Sequence, residues 1–422
     1  MKTIIGYELK KFFQSKLFVG AFIICLVAMV VISALNVHQY STGTNGIFSL
    51  SMMNGEKAPE VFVSNQNIAE LKRIVDNFEN RDEIYYKNSE EQQKDYPQGI
   101  SAYYGKYSVN SDLSLKLLQG EITQSEYDAL VSNTEKKAIK KEYLPEYFKL
   151  CWGVKNFESL SSNISWCEFF AKDPESTEYS RKLNAFLAEK NKKVLENGFV
   201  SGYDYGWNNF YSMLSEIIGI FLVIIIILGL CSVFTTEYSL SVDAFLLSSK
   251  RGRASLVTAK IAASLIYTAI CFLVYIFLAL IISFSFLGIE GINVGYEESH
   301  LTKIFTVLPF VLLGSSCICI ITLVISVFCK KQITSIAVSS LVCLFPLIVQ
   351  LVFHIEDQKF SQILDLLPIN MVFGPYIYDI NYIFVNGNFT DIRCFFPFVA
   401  IVIFSVCIPL IYAKFLRHQV SN

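Results

Sequence analysis

Leu214–Phe234 reads LSEIIGIFLVIIIILGLCSVF, with one ionisable side chain, Glu216, close to its start. A helix needs about 20 apolar residues to cross the roughly 30 Å hydrocarbon core of a bilayer, and this stretch meets that need. Five other stretches do the same: Leu17–Val37, Leu256–Phe286, Ile304–Phe328, Ile333–Phe353 and Phe395–Phe415. The first follows Lys10, Lys11 and Lys16 and so has the basic flank of a secretory signal. Its apolar run is too long for a signal core and no clear A-x-A site follows, so it reads as a retained span. The fold class is therefore an all-α polytopic membrane protein with six transmembrane helices.

Composition agrees with this reading. The chain has 422 residues, of which 53% are hydrophobic and 17% charged, against roughly 25% charged in an ordinary globular chain. The net charge is −2. No basic patch interleaved with aromatics occurs, so nucleic acid is not an expected partner.

Positive charge close to span ends sets orientation. One set of loops holds Lys2, Lys10, Lys11 and Lys16, then Lys250, Arg251, Arg253 and Lys260, then Lys330, Lys331, Lys414 and Arg417. The short loops on the other side hold Lys303, Lys359 and Arg393 among the acids Glu290, Glu297, Glu298, Glu356, Asp357, Asp365, Asp379 and Asp391. Both termini are thus expected on the cytoplasmic side of a plasma membrane. The segment 38–210 then becomes a large, mostly helical extracytoplasmic domain between the first and second spans. Helices are expected near Ser64–Tyr96, Thr123–Leu150 and Ser176–Asn197, with boundaries at Asp173-Pro174 and Asn197-Gly198. Its basic run Lys136–Lys141 reads as a solvated face.

Most of the eleven cysteines sit inside expected spans as small apolar packing residues. Cys151 and Cys167 alone fall in the outer domain, where a disulfide between them is a candidate. His38, His300, His354 and His418 are scattered, and Cys317 and Cys319 lack the spacing and partners of a metal site. No G-x-x-x-x-G-K-[ST] loop is present, and Gly105-Lys106 is followed by Tyr107 without the glycine frame. No G-x-S-x-G elbow or H-E-x-x-H helix occurs either. The expectation is no enzyme, no metal and no cofactor in this chain. Ion-coupled carriers need ionisable groups at mid-membrane depth, and Glu216 and Glu237 read as lying near opposite ends of the second span. The energy source is expected in another polypeptide.

Two basic-side segments carry the most information. In IIGYELKKFFQSK (Ile4–Lys16), Ile5, Leu9, Phe12 and Phe13 fall on one side of a helical wheel and Lys10, Lys11 and Gln14 spread over the other. This describes an interfacial amphipathic helix; the plainer alternative is a basic flank that only sets topology. The second segment is TTEYSLSVDAFLLSSKRGRASLVTAK (Thr235–Lys260). It runs from Glu237 through Ala244-Phe245-Leu246-Leu247 and a small polar turn to a basic re-entry. A short apolar-faced helix with a basic exit fits a groove on a soluble partner.

With these residues in view, the chain resembles the permease subunit of type-2 ABC exporters, the ABC-2 transporter family. The likeness rests on the Glu8–Lys11 elbow (E-L-K-K), the Glu237-to-Lys260 segment, the six-span plan and the loop before the last span. That loop, with Leu366-Leu367-Pro368-Ile369-Asn370 and Gly374-Pro375, is similar to the family's short re-entrant helices. Many members have a glycine shortly after the glutamate, where this chain has Leu240 and Ser241.

The resemblance implies an order of parts: a cytoplasmic elbow helix over 1–16 with Glu8, Lys10, Lys11 and Phe12, a first span over 17–37, and the extracytoplasmic domain 38–210. A five-helix region over 211–422 follows, with a coupling loop at 235–256 and a re-entrant loop at 354–393. It further implies a coupling helix at Asp243, Ala244, Phe245, Leu246 and Leu247 with Glu237 before it, contacting an ABC ATPase subunit that holds ATP and Mg. Two permeases, identical or related, would pair in the lipid bilayer around a path for an apolar or amphipathic peptide, lipid or drug-like substrate. Tyr267, Tyr275, Ser315, Ser316 and Gln350 are candidate lining residues, each with helix–helix packing as the plainer role. The competing class is an ATPase-linked complex that transmits force or signal outward without transporting anything.

Overall fold

The computed structural model describes residues 2–42, 57–87, 90–91, 94, 122–127, 139–239, 252–352, 358–373, 381–385 and 387–416. The expected coupling residues Asp243, Ala244, Phe245, Leu246 and Leu247, and the Gly374-Pro375 pair, lie outside the described residues.

Among the described residues six helices are long and apolar enough to cross a membrane: Lys16–Gln39, Tyr205–Tyr238, Ala254–Leu287, His300–Phe328, Gln332–Gln350 and Ile392–Leu416. We call them spans 1 to 6. Span 2 starts nine residues earlier than its apolar run, because Tyr205–Phe210 (YGWNNF) is aromatic and amide-rich yet helical. Glu216 therefore sits inside the helix, eleven residues from its start, rather than at its end. A π-turn, Leu214–Ile218, surrounds it.

The chain divides into two compact units. The first is Met1–Leu35, Asn208–Leu287 and Lys303–Asn422; the second is Asn36–Trp207 with Gly288–Thr302.

In the first unit, glycines let elements approach closely, as small residues do between membrane helices. A Cβ on Gly229 of span 2 would lie 2.2 Å from the Tyr267 hydroxyl of span 3, which donates a 2.9 Å hydrogen bond to the Ile225 carbonyl. A short helix between spans 5 and 6, Pro368–Val372, is wholly buried. It seats against Gly219 of span 2 and Gly314 of span 4, where added Cβ atoms would meet Val372 O at 2.3 Å and the Met371 Cβ at 2.6 Å. Asn370 anchors it by donating from Nδ2 to the Leu364 carbonyl, 2.8 Å away. A hairpin of Tyr382–Val385 and Asn388–Asp391, turned at Gly387 with φ +88°, leads on to span 6.

The second unit is built on two long helices, Leu144–Lys172 and Glu178–Asn197, packed along their length. Pro145 starts the first, since a missing N–H is no loss in a first turn, and its early residues Leu144, Tyr147, Phe148 and Trp152 are buried. Both helices stop where Asp173-Pro174 and Asn197-Gly198 predict. Of the helix expected over Thr123–Leu150, residues 124–127 and 144–150 are helical, 139–143 are not α-helical, and 128–138 lie outside the described residues. Ile68–Glu79 packs beside it as a third helix. Val63, Leu160, Ile164, Val194, Leu195 and Phe199 form the core. A two-stranded sheet joins Val61–Val63 to Phe199–Ser201 antiparallel, and strands of three residues leave almost no periodic trace in a sequence.

Gly288–Thr302 completes this unit, a membership that its sequence does not suggest. Lys57 bridges Glu290 at 2.8 Å, Lys190 bridges Glu297 at 2.5 Å, and the Asn293 amide donates to Glu60 at 3.0 Å. Gly295 pairs with Val200 as a further antiparallel bridge. Trp207 donates from Nε1 to the Ile289 carbonyl and stacks on His300 at 5.7 Å, and His300 in turn meets Asp204 at 3.0 Å.

The candidate Cys151–Cys167 disulfide does not form: both side chains are thiols. Both residues lie on one helix, Leu144–Lys172, sixteen positions apart. At 1.5 Å per residue they are separated by about 24 Å, whereas a disulfide needs Cα atoms within about 7 Å.

The second long helix is capped by Thr177, whose side chain accepts from the Ser180 N–H at 3.2 Å. Thr177→Ala should cost about 1 kcal/mol. In the full chain this appears as about fivefold faster hydrogen exchange over the first turns of Glu178–Asn197; unchanged exchange would show that the cap contributes nothing.

Candidate functional site

The elbow Lys2–Gln14 is a helix packed mainly along span 3. Its inward stripe is Ile5, Glu8, Leu9 and Phe12, at helical spacing. Glu8 and Phe12 are buried at 3% exposure each, while Phe13, Lys10 and Lys11 are exposed. The face therefore centres on a carboxylate, where a purely apolar stripe is expected from the wheel. Phe12 meets the Tyr267 ring edge-on at 5.4 Å, and Phe18 at the start of span 1 does the same.

Glu8 is buried because a cation waits for it. Lys260, in the second turn of span 3, is fully buried. Its ammonium lies 2.6 Å from Glu237 Oε1 and 3.4 Å from Glu8 Oε2. It donates a third contact, at 2.9 Å, to the Val233 carbonyl, and the Phe234 ring lies 5.3 Å away. Lys11 closes the cluster by reaching back to Glu8 Oε1 at 3.1 Å. Two carboxylates and two ammonium groups thus balance in charge. A buried charge is tolerated when paired and hydrogen-bonded, and Lys260 satisfies all three of its donors here.

Local geometry at the end of span 2 makes this possible. A turn at Cys231 interrupts the helix between Gly219–Leu230 and Ser232–Ser239. Ser326 of span 4 stitches the break: its hydroxyl donates to the Cys231 carbonyl at 2.9 Å and accepts from the Phe234 N–H at 3.2 Å. Glu237 is carried on the segment after the break.

The cluster therefore joins three elements: the elbow helix through Glu8, the end of span 2 through Glu237 and the beginning of span 3 through Lys260. The last two elements are those that flank 240–251. The chemistry of this arrangement is mechanical and electrostatic. It holds no nucleophile with an adjacent base, and no group of three or more metal-ligating side chains occurs among the described residues.

Among the sequence candidates, Glu8 and Glu237 come together and Lys11 and Phe12 sit beside them; Lys10 points outward. Lys260 is the residue that sequence reading leaves as one more basic flank. Its signal was a lysine inside ASLVTAKIAASLI, where an apolar helix on both sides demands a buried counter-ion.

The path candidates scatter. Tyr267, Tyr275 and Ser315 are buried inside the protomer. Tyr267 is occupied by span 2 and the elbow aromatics, and Tyr275 packs edge-on against Phe22 of span 1 at 5.6 Å. Ser316 donates back to the Leu312 carbonyl of its own helix at 2.8 Å. Gln350 donates to Asp365 at 2.9 Å, tying span 5 to the segment before the short buried helix. In this conformation none of the three buried residues lines an open path.

Neither the curated proteins nor the solved structures contain a match to this chain. The family described as "ABC-2 family transporter protein" matches residues 3–417, from the elbow helix to the end of span 6. A match over nearly the whole length, on a chain of six spans with a charge-clamped elbow, makes this protein a member of the ABC-2 family of membrane transporter proteins.

Proposed function

We propose that the chain is the permease subunit of an ATP-driven exporter, working with a separate ABC ATPase subunit that binds ATP and Mg. The carrying observation is the Glu8–Lys260–Glu237 cluster. It ties the elbow helix to both flanks of 240–251, so a push on either element reaches spans 2 and 3 together. Under this reading both termini, the elbow and residues 240–251 face the cytoplasm and the ATPase. The unit of Asn36–Trp207 and Gly288–Thr302 faces outward, since alternation of six spans puts both of its segments on one side. Phe245 and Leu246, on the proposed coupling helix, enter the ATPase groove. Two permeases, identical or related, form the path, and the exported molecule is apolar or amphipathic.

The test is co-purification from mild detergent. The wild-type chain should retain an ATPase bearing a G-x-x-x-x-G-K-[ST] loop, and Phe245→Asp or Leu246→Asp should reduce its recovery at least tenfold while the permease stays monodisperse. Recovery that is equal for all three proteins would remove the coupling assignment, and no ATPase at all would remove the exporter reading. An ATPase that is recovered and coupled, in vesicles that move no amphipathic probe, would favour force transmission to the outward unit instead.

A further inference from the structure

Glu216 is an exposed carboxylate on an apolar helix, and its depth is given by its neighbours. Gly219, one turn further along span 2, touches Val372 of the short buried helix, and Gly314 of span 4 touches Val372 as well. Gly314 is the middle residue of span 4, His300–Phe328. Gly219 thus lies near the level of the middle of span 4, and Glu216 lies about 5 Å along the helix from Gly219. That is well inside the roughly 15 Å half-thickness of the hydrocarbon core.

Span 2 is otherwise the most enclosed of the six spans. Its open side follows four-residue intervals, Ser212, Glu216, Ile220, Ile224, Leu228, Ser232 and Thr236, with Phe221 beside Ile220. The π-turn Leu214–Ile218 holds Glu216 on this stripe, and such turns mark functional positions with unusual frequency. Among the described residues no hydrogen bond or ion pair to the Glu216 carboxylate is formed within the chain. A bare carboxylate against lipid at this depth is costly, so intramembrane acids face water-filled paths or partners of opposite charge.

We propose that Glu216 holds the cationic group of the transported molecule, an amine or guanidinium, while Ile220, Ile224 and Leu228 receive its apolar body. The spacing suits an amphipathic cation: charge at one end of the stripe, then three turns of aliphatic surface. This assignment rests on the exporter reading and names the substrate class for it.

Binding can be measured without transport, which separates the two claims. The wild-type complex in phosphatidylcholine nanodiscs should bind a dansyl-labelled alkylammonium above the level of empty discs, and the matching uncharged alkyl alcohol at least tenfold more weakly. Glu216→Gln should abolish that preference, and Glu216→Asp should retain most of it. Retention of the preference in Glu216→Gln, or its absence in the wild type, overturns the proposal even where vesicle transport of neutral amphiphiles supports export. Glu216→Gln that keeps the preference but splits the complex into single permeases in native mass spectrometry would also overturn it, making Glu216 a contact between subunits.

Discussion

Lys260→Met is expected to be the most damaging single substitution in the transmembrane unit. It leaves Glu8 and Glu237, both buried, without their shared cation. Removing one partner of a buried ion pair costs about 3–5 kcal/mol, because the remaining charge stays desolvated. The apparent melting temperature in detergent should fall on the order of 10 °C. The two acids are not equivalent. Glu8 keeps Lys11 at 3.1 Å, whereas among the described residues Glu237 Oε2 accepts no hydrogen bond and Lys260 is the cation at its Oε1 side. Lys260→Met combined with Glu237→Gln should therefore recover most of the lost stability, and Lys260→Met with Glu8→Gln much less. Equal rescue by both would refute this division of labour. A Lys260→Met protein that melts with the wild type would show that the cluster is not buried in the membrane-embedded state.

Gly219→Ala is the second large effect. The new Cβ would lie 2.3 Å from the Val372 carbonyl oxygen and 3.0 Å from Phe373 Cα. Both obstacles are backbone, so no side-chain rotation relieves them and the Pro368–Val372 helix must move as a body. Overpacking of this kind costs about 1–3 kcal/mol, more where relaxation is blocked. The expected result is a melting temperature several degrees lower. Gly20→Ala on span 1 is the control, since nothing lies within 4 Å of its Cβ. There the alanine should be neutral or slightly stabilising, because glycine within a helix costs roughly 0.5–1 kcal/mol relative to alanine. If both variants behave alike, the close seat of the short helix on span 2 is wrong.

Much of this architecture was legible in the sequence, for a physical reason. A span is a long apolar run, and a run longer than twenty residues needs no knowledge of its neighbours to be recognised. The elbow was legible as a helix because its patterning is local, whereas the expected coupling residues at 243–247 lie outside the described residues. Features made by distant residues were not legible. Nothing in Gly288–Thr302 predicts that Glu290 and Glu297 bridge Lys57 and Lys190. The beginning of span 2 was missed because Tyr205–Phe210 is helical by packing rather than by apolar content. Glu8 and Glu237 were each singled out, yet the cation between them was not. Charge balance in a buried cluster is a relation among three elements, and only the assembled fold displays it. The cysteine pairing failed in the opposite sense: compartment and count favoured a bridge that the rigid rise of one helix forbids.

The two-segment make-up of the second unit sets an order on how the protein can be made. Its first segment ends at Trp207 and its last begins at Gly288, so nearly all of span 2 and the whole of span 3 are synthesised between them. At ribosomal speeds of about 5–20 residues per second, this interval lasts roughly 4–16 s. Throughout it, Lys57, Glu60 and Lys190 wait without the partners that Gly288–Thr302 will bring. The unit can close only after spans 2 and 3 have been made and inserted. A chain with either span misthreaded would strand the two segments on opposite sides of the membrane and expose an unfinished surface to quality-control proteases.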